Sequence, residues 1–129
     1  MPLKLDLRPH EKVFLNGAVI VNGDSRCHLA VLNDVPVLRE KDILKEERAD
    51  TPCKRIYLMV QHMYMDEANL SAYHQQYWAE VRPVIEAAPS TTPLISKISE
   101  EILAGRYYQA LKAARTLIRY EQELLSNAS

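Results

Sequence analysis

The sequence predicts an α+β protein, in which a small five-stranded antiparallel β module is followed by a four-helix α-helical region. Apolar and polar side chains alternate over about the first 45 residues, as they do in strands that bury one face. After residue 50 the apolar side chains recur every three or four residues, as on the buried face of a helix. We therefore expect a β domain at residues 1–45, a helical domain at residues 50–125 and a frayed tail at residues 126–129.

Five short strands are expected because turn residues interrupt the alternating pattern at short intervals. Leu3, Leu5 and Leu7 form the apolar face of the first strand. The pairs Asn16-Gly17 and Asn22-Gly23 follow. Each pair favours a type I′ hairpin turn, because both residues tolerate a positive φ. The two turns together predict a meander of consecutive strands.

The last strand, around residues 35–38, contains Pro36, which has no backbone N–H to give to a ladder. It is therefore expected at a sheet edge. A module of about 40 residues buries little apolar surface by itself. The two cysteines of the chain are too few for a disulfide framework. We therefore expect the strands to pack on the helices of the same chain, on a second copy of the module, or on both.

The helical region begins at Asp50-Thr51-Pro52, which offers an N-cap followed by proline at the first helical position. Pro83 lies inside the second apolar stripe and predicts a kink or an early end of that helix. Gly105 is expected to end the third helix. The fourth helix is predicted to cover residues 107–125.

Residues that could support catalysis are scattered along the chain. The three glycines form no phosphate-binding loop, and no pair of histidines or cysteines has the spacing of metal ligands. We therefore expect no enzyme activity, no metal and no cofactor. No apolar run reaches the roughly 18 residues that a membrane helix needs, and the N-terminus lacks the pattern of a signal peptide. A cytoplasmic location is expected.

One segment suggests a nucleic-acid contact. The net charge of −1 provides no broad basic surface, so any such site must be local. Val37-Leu38-Arg39-Glu40 places Arg39 at the end of an edge strand, where its guanidinium could contact phosphate or base edges. The alternative is a surface ion pair between Arg39 and one of three nearby acids: Glu11, Glu40 or Asp42.

The tyrosines suggest a second kind of surface. All seven lie in the helical region. Tyr57 and Tyr108 lie off the main apolar stripes. Each either packs within the region or stays exposed for a protein partner, because tyrosine suits both environments.

Four separated segments resemble the FlbT family of flagellar regulators: Met1-Pro2-Leu3-Lys4-Leu5, Val37-Leu38-Arg39-Glu40-Lys41-Asp42-Ile43, the run from Ala49 to Tyr57, and the run from Gly105 to Lys112. The resemblance covers roughly residues 1–125. It implies a post-transcriptional regulator that associates with the 5′ untranslated region of a flagellin mRNA. Such a regulator controls translation and decay of that mRNA, usually as a repressor.

Residues 3–43 are also similar to the CsrA family of translational regulators. That resemblance implies a strand-swapped homodimer, in which the first strand of one subunit lies beside the last strand of the other. It also implies RNA contacts from basic residues of the first strand and from a V-x-R-E motif of the last strand. Arg39 matches the motif, and Arg8 matches one of two consecutive arginines in the family, the other being replaced by leucine. Lys4 and Lys41 are the neighbouring basic candidates.

Two functional hypotheses follow. In the first, the chain binds a flagellin mRNA leader through the strands and regulates that mRNA. In the second, it is a protein-binding adaptor or chaperone-like factor, whose helical region docks flagellin or the flagellar regulator FlaF and affects mRNA indirectly. Tyr57 and Tyr108 are the docking candidates of the second hypothesis.

Overall fold

The structure, a computed structural model, describes residues 2–128 and confirms the α+β fold. The strands are β1 (Leu3–Leu7), β2 (Lys12–Leu15), β3 (Ala18–Val21), β4 (Cys27–Val31) and β5 (Val37–Arg39). The α-helices are α1 (Pro52–Met65), α2 (Leu70–Ala87), α3 (Thr92–Leu103) and α4 (Tyr107–Ala128). The chain divides into two compact units, which we call the strand unit (Met1–Ile43) and the helical unit (Leu44–Ser129).

The five strands form two antiparallel sheets rather than the predicted meander. One sheet pairs β1 with β4, and the other has the order β3-β2-β5. β3 and β4 follow each other in the chain but belong to different sheets, so the meander prediction is wrong. β5 has β2 as its one neighbour among the described residues, which confirms the predicted edge position.

The two Asn-Gly pairs explain this difference, because they adopt different backbone conformations. Asn16 and Gly17 have φ of 46° and 92° and form the predicted turn between β2 and β3. Gly23 has no positive φ. Its neighbour Asn22 instead donates its side-chain amide to the carbonyl oxygens of Leu7, Arg8 and Ser25, at 3.3, 2.8 and 3.0 Å. With these bonds in place, the chain after Asn22 leaves β3, and its next strand, β4, pairs with β1.

The core of the strand unit is small. One hydrophobic cluster contains the four buried residues Leu5, Leu7, Val13 and Val37, and partly buried Leu15, Cys27, Val31 and Val35 pack around them. Leu5 and Leu7 lie on the face of β1 that the alternating pattern predicts to be buried. The unit therefore buries one face of β1, whereas in β2 and β5 the neighbouring residues Phe14 and Leu38 are buried as well, and all of β3 is exposed.

In the helical unit α1 packs against α2 and α4, and α3 packs against α4. Thr51 is the predicted N-cap of α1, since its side-chain oxygen accepts a hydrogen bond from the Lys54 amide. The Glu121 carboxylate of α4 completes this cap by accepting bonds from the Thr51 hydroxyl at 2.6 Å and the Cys53 amide at 3.1 Å.

Burial, together with the nearby Glu121 charge, raises the pKa of the Cys53 thiol to about 12.

Two helix ends differ from the prediction. α2 continues past Pro83 to Ala87, so the early end predicted there does not occur. α4 continues to Ala128, beyond the end predicted at residue 125; fraying of residues 126–129 stays a prediction, and Ser129 lies outside the described residues. α3 ends at Leu103 and Gly105 follows with φ of 75°, in agreement with the predicted glycine stop. Within residues 2–128, the helices lack the combination of length and apolar character that crossing a membrane requires.

The α3–α4 turn is held by a nearly buried carboxylate. Glu101 accepts hydrogen bonds from Arg106 Nε at 2.7 Å and from Lys97 Nζ at 3.0 Å. The hydrogen bond from Arg106, followed by that from Lys97, lowers the pKa of Glu101 to about 2. The carboxylate therefore stays charged over the whole physiological pH range.

The two Asn-Gly pairs give a matched test of the fold. We predict that Gly17→Ala destabilises the strand unit by about 1–2 kcal/mol, because an L-residue is strained at positive φ. Gly23→Ala should change the stability little, because Gly23 has an ordinary φ and nothing lies within 4 Å of the added carbon. Hydrogen exchange of the β2 amides measures both effects. Equal costs for the two variants would contradict the assigned turns.

Candidate nucleic-acid interface

Arg39 lies at the end of β5, where the strand meets solvent. Its two predecessors, Val37 and Leu38, are buried, and the backbone of Arg39 is paired with Val13 of β2. The Arg39 side chain retains 31% of its exposure. The strand pairing therefore fixes the backbone at this position, while the guanidinium remains at the surface.

The guanidinium of Arg39 is bound by Glu11, which is one of the two alternatives that the sequence left open. Nη2 donates to both carboxylate oxygens, at 2.9 and 3.1 Å, and Nε donates to Oε2 at 3.1 Å. Nη2 also donates to the backbone carbonyl of Asp6 at 2.8 Å. The side chain of Glu11 is only 5% exposed, so this pair is no ordinary surface ion pair.

Glu11 brings the two predicted RNA-binding arginines together. Its Oε1 accepts a hydrogen bond from the Arg8 amide at 2.9 Å and lies 3.8 Å from Arg8 Nε. The side chain of Arg8 is 66% exposed. One guanidinium is thus anchored and the other is largely free, and both lie at the same edge of the strand unit.

The surroundings of Glu11 keep it ionised. The Arg8 amide lowers the pKa of Glu11 most, burial opposes this effect, and the hydrogen bond from Arg39 lowers the pKa further. The neighbouring Glu40 has a separate role, because it accepts a hydrogen bond from the Lys12 amide at 2.9 Å. Both acids therefore fasten β2 and β5 at this edge.

Lys4 and Lys41 are exposed, and no hydrogen bond or ion pair within residues 2–128 joins them to the Glu11 group. Lys4 lies on the exposed side of β1, as does Asp6, and Lys41 lies in a short 3-10 turn after β5. Asp6 forms an ion pair with Arg26 at 3.0 Å, and its carboxylate lies 3.5 Å from Nδ1 of His28. The local surface therefore carries both signs of charge.

The two docking tyrosines differ in exposure. Tyr57 is only 4% exposed, so the idea that its side chain is available to a partner is wrong; it is one of the buried residues of α1. Tyr108 is 37% exposed. Its ring lies 5.6 Å from that of Tyr64, and Lys112 Nζ lies 4.9 Å from its centre.

Some surface features were missed in the sequence. Glu11 was considered only as one possible ion-pair partner, although it is the centre of the group. Trp78 and Leu103, which no sequence pattern singled out, are 44% and 77% exposed. The described residues contain no group of three or more His, Cys, Asp or Glu side chains that could hold a metal ion.

A pH test follows from the lowered pKa of Glu11. A carboxylate with a lowered folded-state pKa adds stability above its ordinary pKa of 4.5, and this stability is lost as the pH falls through the folded-state value. We predict that Glu11→Gln destabilises the strand unit at pH 7 and that the difference from the parent shrinks below about pH 4.5. Hydrogen exchange of β2 and β5 amides at several pH values measures this. A difference independent of pH would contradict the assigned interaction.

Comparison with known proteins identifies the family. The family model described as "Flagellar protein FlbT" matches residues 3–125. A "Probable flagellum biosynthesis repressor protein FlbT" from Rhodopseudomonas palustris (strain TIE-1) is 45% identical over 98% of this chain and 99% of its own length. One with the same name from Caulobacter sp. (strain K31) is 43% identical over the full length of both chains.

The "Flagellum biosynthesis repressor protein FlbT" of Caulobacter vibrioides (strain ATCC 19089) is 40% identical over the whole of this chain and 93% of its own. No solved structure matches the chain significantly. The match to the family model extends over both the strand unit and the helical unit. The chain therefore belongs to the FlbT family of flagellar proteins.

Proposed function

We propose that this protein is a cytoplasmic post-transcriptional repressor of flagellum biosynthesis, which binds the 5′ untranslated region of flagellin mRNA and controls its translation and degradation. Its relatives are named flagellum biosynthesis repressors, which supports the biological role. The observation that carries the RNA contact is the pair of arginines, Arg8 and Arg39, which meet at one exposed edge of the strand unit.

The chemistry of this edge suits single-stranded RNA. β5 has one strand neighbour among the described residues, and its last residue, Arg39, carries its guanidinium to the surface, whereas Val37 and Leu38 are buried. Arg8 adds a largely exposed positive charge. Single-stranded RNA is bound by such a combination of directional hydrogen bonds and a few phosphate contacts.

We further propose that the protein acts as a homodimer formed by its strand unit. β1 and β3 each have a single strand neighbour within residues 2–128, and β3 is exposed along its whole length, so both sheets can be extended by another strand. Large apolar side chains of the unit remain exposed, namely Leu3, Val19, Ile20, Val21, Leu29 and Leu32. A second copy would cover such side chains and pair the open edges.

A second candidate function is docking of a flagellar protein, such as flagellin or FlaF, by the helical unit. The exposure of Trp78, Leu103 and Tyr108 favours it, because exposed aromatic and aliphatic side chains are typical anchors of protein interfaces. This candidate needs no direct RNA contact. It would act on mRNA through the bound protein.

The RNA contact is tested by measuring affinity for a flagellin leader at several salt concentrations. We predict that log K falls with log salt and that Arg8→Ala lowers the slope by about one. The double variant Glu11→Gln/Arg39→Gln should bind about tenfold or more weakly, as expected for a lost arginine contact. It leaves no buried carboxylate unpaired and keeps the net charge, so the loss reports the guanidinium.

Arg82→Ala is the matched control, since Arg82 is an exposed arginine of α2. It should leave the affinity for the leader unchanged. Wild-type affinity of the double variant would refute the assigned site. Absence of RNA binding by the parent, combined with co-purification of a flagellar protein, would favour the docking candidate.

The homodimer is tested by analytical ultracentrifugation over a range of concentrations. We predict that the parent self-associates and that Val19→Thr/Val21→Thr weakens self-association about tenfold or more, because burying one valine is worth on the order of 1.5 kcal/mol. Leu125→Thr is the control, since Leu125 is equally exposed at 59% but lies in α4. A monomeric parent at all concentrations would contradict the dimer.

A further inference from the structure

We propose that Glu11 is a specificity-determining residue of the RNA site, which converts Arg39 from a phosphate-binding cation into a directional hydrogen-bond donor. This inference rests on the proposed RNA-binding function. It deepens that function by assigning different tasks to the two arginines. Arg8 supplies charge, whereas Arg39 supplies selectivity.

Most N–H groups of the Arg39 guanidinium are already hydrogen-bonded within the protein. Nε and Nη2 of Arg39 are both committed to Glu11, and Nη2 is also committed to the Asp6 carbonyl. The described residues provide no hydrogen bond to the remaining nitrogen, Nη1. That nitrogen carries two N–H groups fixed in the guanidinium plane, which can contact one base edge or one phosphate oxygen.

The burial of Glu11 makes it unfavourable to remove Arg39 from the pair. Its carboxylate is nearly inaccessible to water, and Arg39 is the closest cationic partner that it has. If an RNA phosphate pulled Arg39 away, the carboxylate would be left buried beside an amide and a more distant guanidinium. Leaving a buried charge without its partner is strongly unfavourable. Arg39 therefore stays with Glu11 when RNA binds.

The charge of the pair also distinguishes Arg39 from Arg8. Glu11 and Arg39 together carry no net charge, so Arg39 contributes little to the release of counterions from RNA. Such a contact makes the RNA affinity depend on which base is bound and only weakly on the salt concentration. Arg8 differs, because its guanidinium is 66% exposed and touches Glu11 only at 3.8 Å.

The test compares the parent with Glu11→Gln on two RNAs, a flagellin leader and a scrambled RNA of equal length, across salt concentrations. We predict that Glu11→Gln steepens the salt slope by about one, because the Arg39 charge is no longer neutralised. We also predict that the affinity ratio of leader to scrambled RNA falls about tenfold, because the guanidinium is no longer held in place. A ratio that stays the same or rises would overturn the inference.

Asp24→Asn is the matched control, since it removes one negative charge from a side chain of the strand unit that is 95% exposed. It should strengthen binding to both RNAs equally and leave their affinity ratio unchanged. If the parent itself fails to prefer the leader, the proposed function is contradicted as well. If the parent prefers the leader and only the Glu11→Gln result fails, the proposed function stands and the role of Glu11 is refuted.

A second measurement observes the pair directly. The Nε–H signal of Arg39 can be followed by NMR in the full-length protein while leader RNA is added. We predict that the chemical shift of this signal stays unchanged, because the hydrogen bond to Glu11 persists. Movement of the signal to its position in Glu11→Gln would show that RNA displaces the carboxylate, and this would overturn the inference.

Discussion

The interaction on which the strand unit depends is the hydrogen-bonded pair formed by Glu11 and Arg39. Glu11 precedes β2, Arg39 ends β5, and the same guanidinium donates to the Asp6 carbonyl of β1. The pair therefore joins two sheets that share no backbone ladder. The described part of the strand unit buries six apolar residues, namely Leu5, Leu7, Val13, Phe14, Val37 and Leu38, and the pair adds a charged link between the sheets whose carboxylate is buried. Losing either partner would leave the other uncompensated.

The same interaction links the fold to the proposed function. A free arginine at a strand end would sample many rotamers and bind phosphate without preference. Glu11 removes that freedom and most of the net charge, and the described residues provide no hydrogen bond to the remaining nitrogen, Nη1. The exposed Arg8 supplies the attraction that Arg39 no longer provides. A protein with a net charge of −1 can thus present a small RNA-binding edge without a broad basic surface.

Local patterns predicted the elements of the fold, because each depends on neighbouring residues. The alternation of Leu3, Leu5 and Leu7 predicted β1, and Thr51-Pro52 predicted the start of α1. The partition of strands between two sheets could not be predicted in this way. It depends on the side chain of Asn22, which bonds to carbonyl groups about 14 residues earlier in the chain. No local pattern distinguishes it from the asparagine of the other Asn-Gly pair.

The candidate site was predicted in part for a similar reason. The V-x-R-E pattern located Arg39, because an edge strand followed by charged residues is visible in the sequence. The hydrogen bonds between Arg39 and Glu11 join residues 28 positions apart in the chain. The sequence alone does not show which of the three candidate acids pairs with Arg39. Tyr57 shows the opposite error. It lies off the main apolar stripe of α1, yet the buried face of this helix is wider than the stripe and includes Tyr57.

The central claim is that RNA is bound by the edge of the strand unit and by few other parts of the chain. Ultraviolet crosslinking in the cell, followed by mass spectrometry of the crosslinked peptides, tests it most directly. We expect crosslinks to flagellin leader RNA within residues 3–12 and 37–43. Crosslinks confined to residues 52–128, or recovery of protein partners with no RNA, would contradict it.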